Sequence, residues 1–585
     1  MDSTSSTHHP GLKDSSNWWL LTLPAIFGTK TIDPLLLLLS LFMAILTVTL
    51  LAWALSPGGT AWAHNRAHKG RVSIRGPRGL PLLGSILSLS RALPHRTLAS
   101  MTCGTTGSSS SSSSLSLRQL MALSVGSTPV VVASDPHTAR EILTSPHFAD
   151  RPIKSSARSL MFDRAMGFAP NGTYWRMLRR IGSSHLFAPR RILAHESGRQ
   201  LDCAAMLRAV DGERARCSRG GAVVLRKHVQ VAALNNIMGS VFGKRYEFGF
   251  CDGTNNNINI NNVISEEAME LQEMVNEGFE LLGAFNWSDY IPWLSYFYDP
   301  LRVKERCEAL VPRVRKLVMN IIDEHRLRRR GLNKRSIDQL NDDSDFVDVL
   351  LSLDGEEKLT QDDMVSVLWE MIFRGTDATA ILAEWVMAEL VLNPNVQSKL
   401  QEEVDSVLIN PCNTTNNATI TDEMVANKMP YLGAIIKETL RVHPPGPLLS
   451  WARLSTSDVG LSNGMVIPAH TTAMVNMWAI THDPTIWAEP NKFKPERFLD
   501  GSSDKHGLDV RGSDLRLAPF GAGRRVCPGK NLGLVTVGLW VAKLVHRFEW
   551  VEDPENKVDL TELMKLSCEM KTPLSALALP RNLVK

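Results

Sequence analysis

Cysteine is sparse in this chain of 585 residues: the eight examples, Cys103, Cys203, Cys217, Cys251, Cys307, Cys412, Cys527 and Cys568, form no C-x-x-C pair and no zinc-ligand spacing. That argues against a disulfide-stapled secreted scaffold and fits a reducing compartment. A strong charge of one sign is also missing. The formal net charge is +4 and the pI near 8.6, so the composition gives no electrostatic footprint for nucleic acid, and none is expected as a partner. No internal repeat is visible, which removes solenoids and arrays.

Long hydrophobic runs are equally rare, and the main one is informative. Leu35 to Leu55 is an uncharged stretch of 21 residues, long enough to span a bilayer as a helix. It starts too late, and runs too long, for a cleavable signal. Arg66, Lys69, Arg71, Arg75 and Arg78 follow it without an intervening acid, so the positive-inside rule puts the bulk of the chain in the cytosol. A shorter apolar patch, Trp18 to Phe27, contains Pro24 and reads as interfacial. The expected organisation is an N-terminal segment (1–34), a transmembrane anchor (35–55), a basic Pro/Gly hinge (56–84) and a catalytic domain (85–585). Within the last, 104–114 is a serine-rich loop, Met121–Val125 and Val130–Ala133 are strand candidates, and a helix starts near Asp135-Pro136. The stretches 254–262, 334–345 and 410–417 read as surface loops. An apolar segment from about 361 to 392 predicts a helix about 48 Å long, stopped by Asn393-Pro394. The expected fold class is mainly α with small β-sheets.

The chemistry concentrates near the C-terminus. Phe520, Gly523, Arg525, Cys527 and Gly529 stand in the spacing F-x-x-G-x-R-x-C-x-G, which chance produces in a chain of this length on the order of once in ten thousand. The glycines permit tight turns and close approach to a flat ligand. Cys527 stands where N–H groups of a following helix can stabilise a thiolate, and Arg525 can reach an anionic group of the same ligand. A thiolate on such a loop is how haem-thiolate enzymes hold iron. Upstream, Glu438 and Arg441 lie at i and i+3 on one helix face, and Pro495-Glu496-Arg497-Phe498 offers a second arginine. One carboxylate shared by two guanidinium groups makes a rigid clamp.

Taken together, E-x-x-R at 438–441, P-E-R-F at 495–498 and the cysteine loop at 520–529 resemble a cytochrome P450, over roughly Gly76 to the C-terminus. Phe148-Ala149-Asp150-Arg151-Pro152, Gly167-Phe168-Ala169-Pro170 and Ile372-Phe373-Arg374-Gly375-Thr376-Asp377 further resemble the plant family 78, subfamily A. The resemblance implies a cytochrome P450 fold preceded by a transmembrane helix, and haem b with Cys527 as axial thiolate. Trp175, Arg179, Arg525 and Arg453 become propionate partners, and Phe520, Gly523 and Gly529 shape the loop. Glu438, Arg441 and Arg497 become the structural clamp. Arg176, Arg180, Arg524 and Lys530 read either as a docking face for an acidic flavoprotein donor, NADPH–cytochrome P450 reductase, or as a solvated charged face.

The oxygen-activating segment departs from the family pattern. Threonine is expected directly after the acid, and this chain has Ala378 after Asp377, with Thr379 one step on, about 100° round the helix. Asp377 and Thr379 are the expected catalytic residues, with Gly375 leaving room over the haem. Arg374 can pair with Glu370 at i−4 or with Asp377 at i+3. The leading expectation is a monooxygenase in the endoplasmic reticulum membrane, hydroxylating a lipophilic, fatty-acid-like substrate in plant growth control. The alternatives are an oxygen-independent rearrangement or dehydration of an oxygenated lipid, and a non-catalytic haem sensor or scaffold.

Overall fold

A computed structural model describes residues 34–56, 58–62, 74–90, 93–103, 117–217, 221–246, 266–292, 294, 299–330, 344–409, 419–448, 452–499 and 508–581. The apolar patch at 18–27, the serine-rich loop, the loops expected at 254–262 and 410–417, nearly all of 334–345, and the hinge residues 57 and 63–73 lie outside them.

Helix α1 (Pro34–Leu55) carries no acid or base in its terminal turns, and Leu35, Leu36, Leu38 and Phe42 are exposed. It is the one described helix long and apolar enough to cross a membrane. Beyond it the Pro/Gly stretch is docked on the domain: Ala122 N–H donates to Arg75 O at 2.8 Å, Ser85 N–H to Ser124 O at 2.8 Å, and Trp53 Nε1 to Gly79 O at 3.0 Å.

Strand β1 (Met121–Val125) and β2 (Thr128–Ala133) form an antiparallel hairpin. The hairpin joins β3 (Arg453–Leu454) and β4 (Thr472–Val475) in the order β1-β2-β4-β3, with β2 and β4 parallel. Strand β2 begins two residues earlier than its apolar run because Pro129, at the hairpin end, still pairs with Ser124. The expected helix at Asp135-Pro136 spans Pro136–Thr144, with the Asp135 carboxylate accepting from the N–H groups of His137 and Thr138.

Helices supply the rest of the framework. Helix α3 (Leu225–Phe242) packs along α4 (Gln361–Leu392), whose N-cap Thr360 accepts from Asp363 N–H, and α2 (Thr173–His185) joins their core through Leu178 and Ile181. Nearly every apolar residue of α4 is buried, among them Trp369, Phe373 and Trp385, so it runs through the core rather than over the surface. Helix α5 (Pro430–Val442) and α6 (Lys530–Arg547) pack beside it in the core formed by Ile435, Leu440, Trp540 and Leu544. A short hairpin of β5 (Glu562–Met564) and β6 (Cys568–Met570) closes over α4.

Candidate active site

Between α4 and the start of α6 lies a cavity enclosing about 1900 Å³ of atom-free space including its mouth. Cys527, Phe520, Gly529, Arg179, Arg453, Arg525, Asp377, Ala378 and Thr379 all line it.

The cysteine loop is set by its backbone. Gly523 has φ +67°, and a Cβ there would stand 2.0 Å from Leu143 O, so no other residue fits without moving backbone. Cys527 N–H donates to Phe520 O at 3.0 Å, which closes the loop and directs the thiol inward. Helix α6 then starts from its N-cap, Gly529. Burial pushes the Cys527 thiol up, while the Gly529 N–H, Arg374, Arg179 and Lys530 pull it down.

Five arginines line the cavity, Arg151, Arg179, Arg374, Arg453 and Arg525, against two carboxylates, Glu370 and Asp377. Buried cations without enough anions are costly, and their surroundings show it. Burial and then Arg525 pull Arg453 down to about 9, while burial, Arg453, Arg374 and Arg525 hold Arg151 well below its usual range. Arg453 reaches only Ala522 O, at 3.4 Å, and its buried Nη1 has no hydrogen-bond partner. A planar macrocycle bearing two carboxylates fits this cluster, and a thiolate fits its metal.

Of the expected propionate partners, Trp175 is engaged outside the cavity, and Arg525 lines the cavity while also bracing its wall. Trp175 Nε1 donates to Met166 O at 3.0 Å, and the ring does not line the cavity. Arg525 stacks over that ring at 4.1 Å and donates to the carbonyls of Ala149, Met166 and Ala169. Both tie the segment 149–169 to the cysteine loop. Arg179 Nη2 donates to Val526 O at 2.6 Å, one residue from Cys527.

The clamp residues are brought together away from the cavity. Arg441 meets Glu438 through two bonds of 2.8 Å, Arg497 Nε adds a third at 3.0 Å, and both Glu438 and Arg441 are fully buried. Of the basic face, Arg180 pairs with Glu357 at 2.5 Å and Lys530 donates to Arg511 O, while Arg176 and Arg524 are exposed.

This chain belongs to the cytochrome P450 family. The family model for cytochrome P450 matches residues 75–575. Cytochrome P450 78A7 of Arabidopsis thaliana is 60% identical over 562 residues, covering 96% of this chain and 97% of that protein. Cytochrome P450 78A11 of Oryza sativa subsp. japonica is 57% identical and 78A1 of Zea mays 55%, each alignment covering 97% of both chains. The chain is accordingly a haem monooxygenase of the 78A group, and the family holds its haem iron through an axial cysteine thiolate.

On α4 the packed neighbours decide two points that the sequence leaves open. A Cβ at Gly375 would meet Ile237 Cδ1 at 2.2 Å, so the missing side chain admits helix α3 at a position that also lines the cavity. Arg374 pairs with Glu370 at 2.8 Å, and the two Glu370 oxygens accept Gly167 N–H at 2.8 and 3.1 Å. Asp377 is therefore not the counter-ion of Arg374. Burial raises its carboxyl to about 6, against a lowering hydrogen bond from Ser567, while Glu569 raises it and Lys565 and Arg226 lower it. Thr379 Oγ1 donates back to Gly375 O at 3.4 Å.

Sequence reasoning missed Arg151, although it stands inside a quoted motif, because nothing local marks its burial beside three other arginines. It also missed Ser567, a polar residue in a turn far along the chain from Asp377.

Proposed function

We propose that this monooxygenase holds haem b through Cys527, with Arg179, Arg453, Arg525 and Arg151 balancing the propionates, and hydroxylates a lipophilic, fatty-acid-like substrate. The observation that carries the assignment is the convergence of Cys527 and five arginines on one cavity that holds only two carboxylates. Bound haem supplies the oxidising chemistry, using dioxygen and electrons from NADPH–cytochrome P450 reductase. The residues of this chain do the rest. The loop from Phe520 to Gly529 fixes the thiolate, and Ile237, Val241, Phe373 and Leu382 offer an apolar lining to a hydrocarbon substrate. Asp377, raised to about 6, exists in both protonation states near neutral pH and is suited to passing protons into the cavity. Gly523 and Gly529 shape the loop, Trp175 braces Arg525, and Glu438, Arg441 and Arg497 hold the fold behind it.

Helix α1 acts as a single-pass anchor in the endoplasmic reticulum membrane, with the 85–585 domain in the cytosol beyond the 56–84 hinge. The exposed apolar surface of α1 and the basic residues that follow it support this reading. Deleting residues 1–56 moves the protein from the membrane to the soluble fraction while haem absorbance persists. Protease protection of the C-terminal region in intact microsomes contradicts the orientation. We carry over a role in plant growth control from the resemblance to the plant family 78, subfamily A, alone. Comparing hydroxylated lipids between plants lacking and overproducing the protein tests the substrate class: the expected result is a hydroxylated acid that follows protein level, and an unchanged lipid profile contradicts it.

A further inference from the structure

Four of the five cavity arginines belong to its cysteine-loop side. Arg179 donates to Val526 O, Arg453 to Ala522 O, and Arg525 to the carbonyls of Ala149, Met166 and Ala169. Arg151 stands in the segment that Arg525 braces. Arg374 stands apart. Among the described residues it is the one cavity-lining arginine on α4, the wall that carries Asp377 about one turn further on. Positive charge at the cavity exceeds negative even when Glu370, Asp377 and two haem propionates are all counted as charged.

The guanidinium of Arg374 is held in place. Its Nε meets Glu370 at 2.8 Å, and Glu370, 1% exposed, also takes Gly167 N–H at 2.8 and 3.1 Å. The fork lies 5.4 Å over the Phe168 ring. Gly167 admits this arrangement, since a Cβ there would stand 2.2 Å from both Arg374 Nη2 and Glu370 Oε1. Glu370 engages the Nε edge of a group with five N–H donors, which can meet a second carboxylate beside the first. Around it the lining is hydrocarbon, supplied by Ile237, Val241, Phe373 and Leu382. One fixed cationic fork among apolar walls matches an amphiphile with a single anionic head.

We propose that Arg374 determines specificity by binding the ionised carboxylate of a long-chain acid, with Glu370 as the resting counter-ion that orients the fork. The proposal rests on the reading of the substrate as a fatty-acid-like lipid and narrows it to the free acid. Glu370 acts through Arg374, as a positioning residue, and its charge competes with that of the incoming head group. Binding exchanges hydrogen bonds and involves no covalent or redox step.

Optical titration of the haem-loaded full chain with saturated fatty acids, and with their methyl esters, reads both affinities without turnover. The parent binds each acid about ten-fold or more tighter than its ester, the usual worth of a hydrogen bond to a charged group. Arg374→Gln loses that preference by weakening the acids and leaves the esters unchanged. Arg374→Lys keeps the charge without the planar fork and falls between. Glu370→Gln keeps an acceptor for Gly167 N–H and removes the competing charge, so it binds acids more tightly than the parent does. Equal affinity of the parent for acid and ester overturns the anchor while leaving a lipophilic substrate in place. Binding of neither overturns both readings. Acid and ester weakened alike in Arg374→Gln and Glu370→Gln mark the pair as structural and overturn the proposal. An Arg374→Gln protein that cannot retain haem, beside an Arg374→Lys protein that can, puts Arg374 among the propionate partners and overturns it too.

Discussion

Cys527→Ser loses the red-shifted Soret band that a thiolate gives the reduced carbonyl complex, and loses monooxygenase turnover with it. Among the described residues no other thiol can substitute. Among the described residues Cys527 is the one cysteine lining the cavity. Burial pushes the thiols of Cys203 and Cys307 up to about 12 and about 11, far from ready ionisation, and both sit in apolar core clusters. The serine variant keeps its secondary structure by circular dichroism, because the loop geometry comes from Gly523 and the Cys527 N–H to Phe520 O bond rather than from sulfur. Retention of the shifted band by Cys527→Ser contradicts the ligand assignment.

Glu438→Ala destabilises the enzyme by about 3–5 kcal/mol, the usual cost of removing one partner from a buried ion pair. The carboxylate accepts two bonds from Arg441, one from Arg497 and one from Lys494 N–H, so its loss strands two guanidinium groups in a dry interior. Arg441 also donates to the carbonyls of Thr481, Pro490 and Lys492. Arg441→Lys therefore falls well short of rescue despite keeping its charge, because an ammonium cannot present the planar fork. Thermal inactivation of the haem-loaded protein checks both variants. A Glu438→Ala protein as stable as its parent contradicts the clamp.

What the sequence made legible was local. The helix over 361–392 showed itself through an apolar composition bounded by Asp362-Asp363 and Asn393-Pro394, and Met121–Val125 through a short apolar run. The clamp and the cysteine loop were legible because each is carried by residues close in sequence or by a dense motif. What was hidden depends on which distant side chain arrives. Ile237 decides what Gly375 is for, and Met166 O decides where the Trp175 indole points. The pairing of Arg374 was open between Glu370 and Asp377 until Gly167 N–H fixed Glu370 beside it. Helical spacing allows both pairs, and only the packed neighbours choose.

The claim that this chain inserts one atom of dioxygen into a lipophilic substrate is tested most directly by isotope labelling. The full-length protein, its reductase and NADPH are incubated with a plant lipid extract under ¹⁸O₂, and the products are resolved by mass spectrometry. The predicted result is a hydroxylated product carrying a single heavy oxygen atom, formed only when NADPH is present. A product that forms without dioxygen, or whose new oxygen comes from water, contradicts the account.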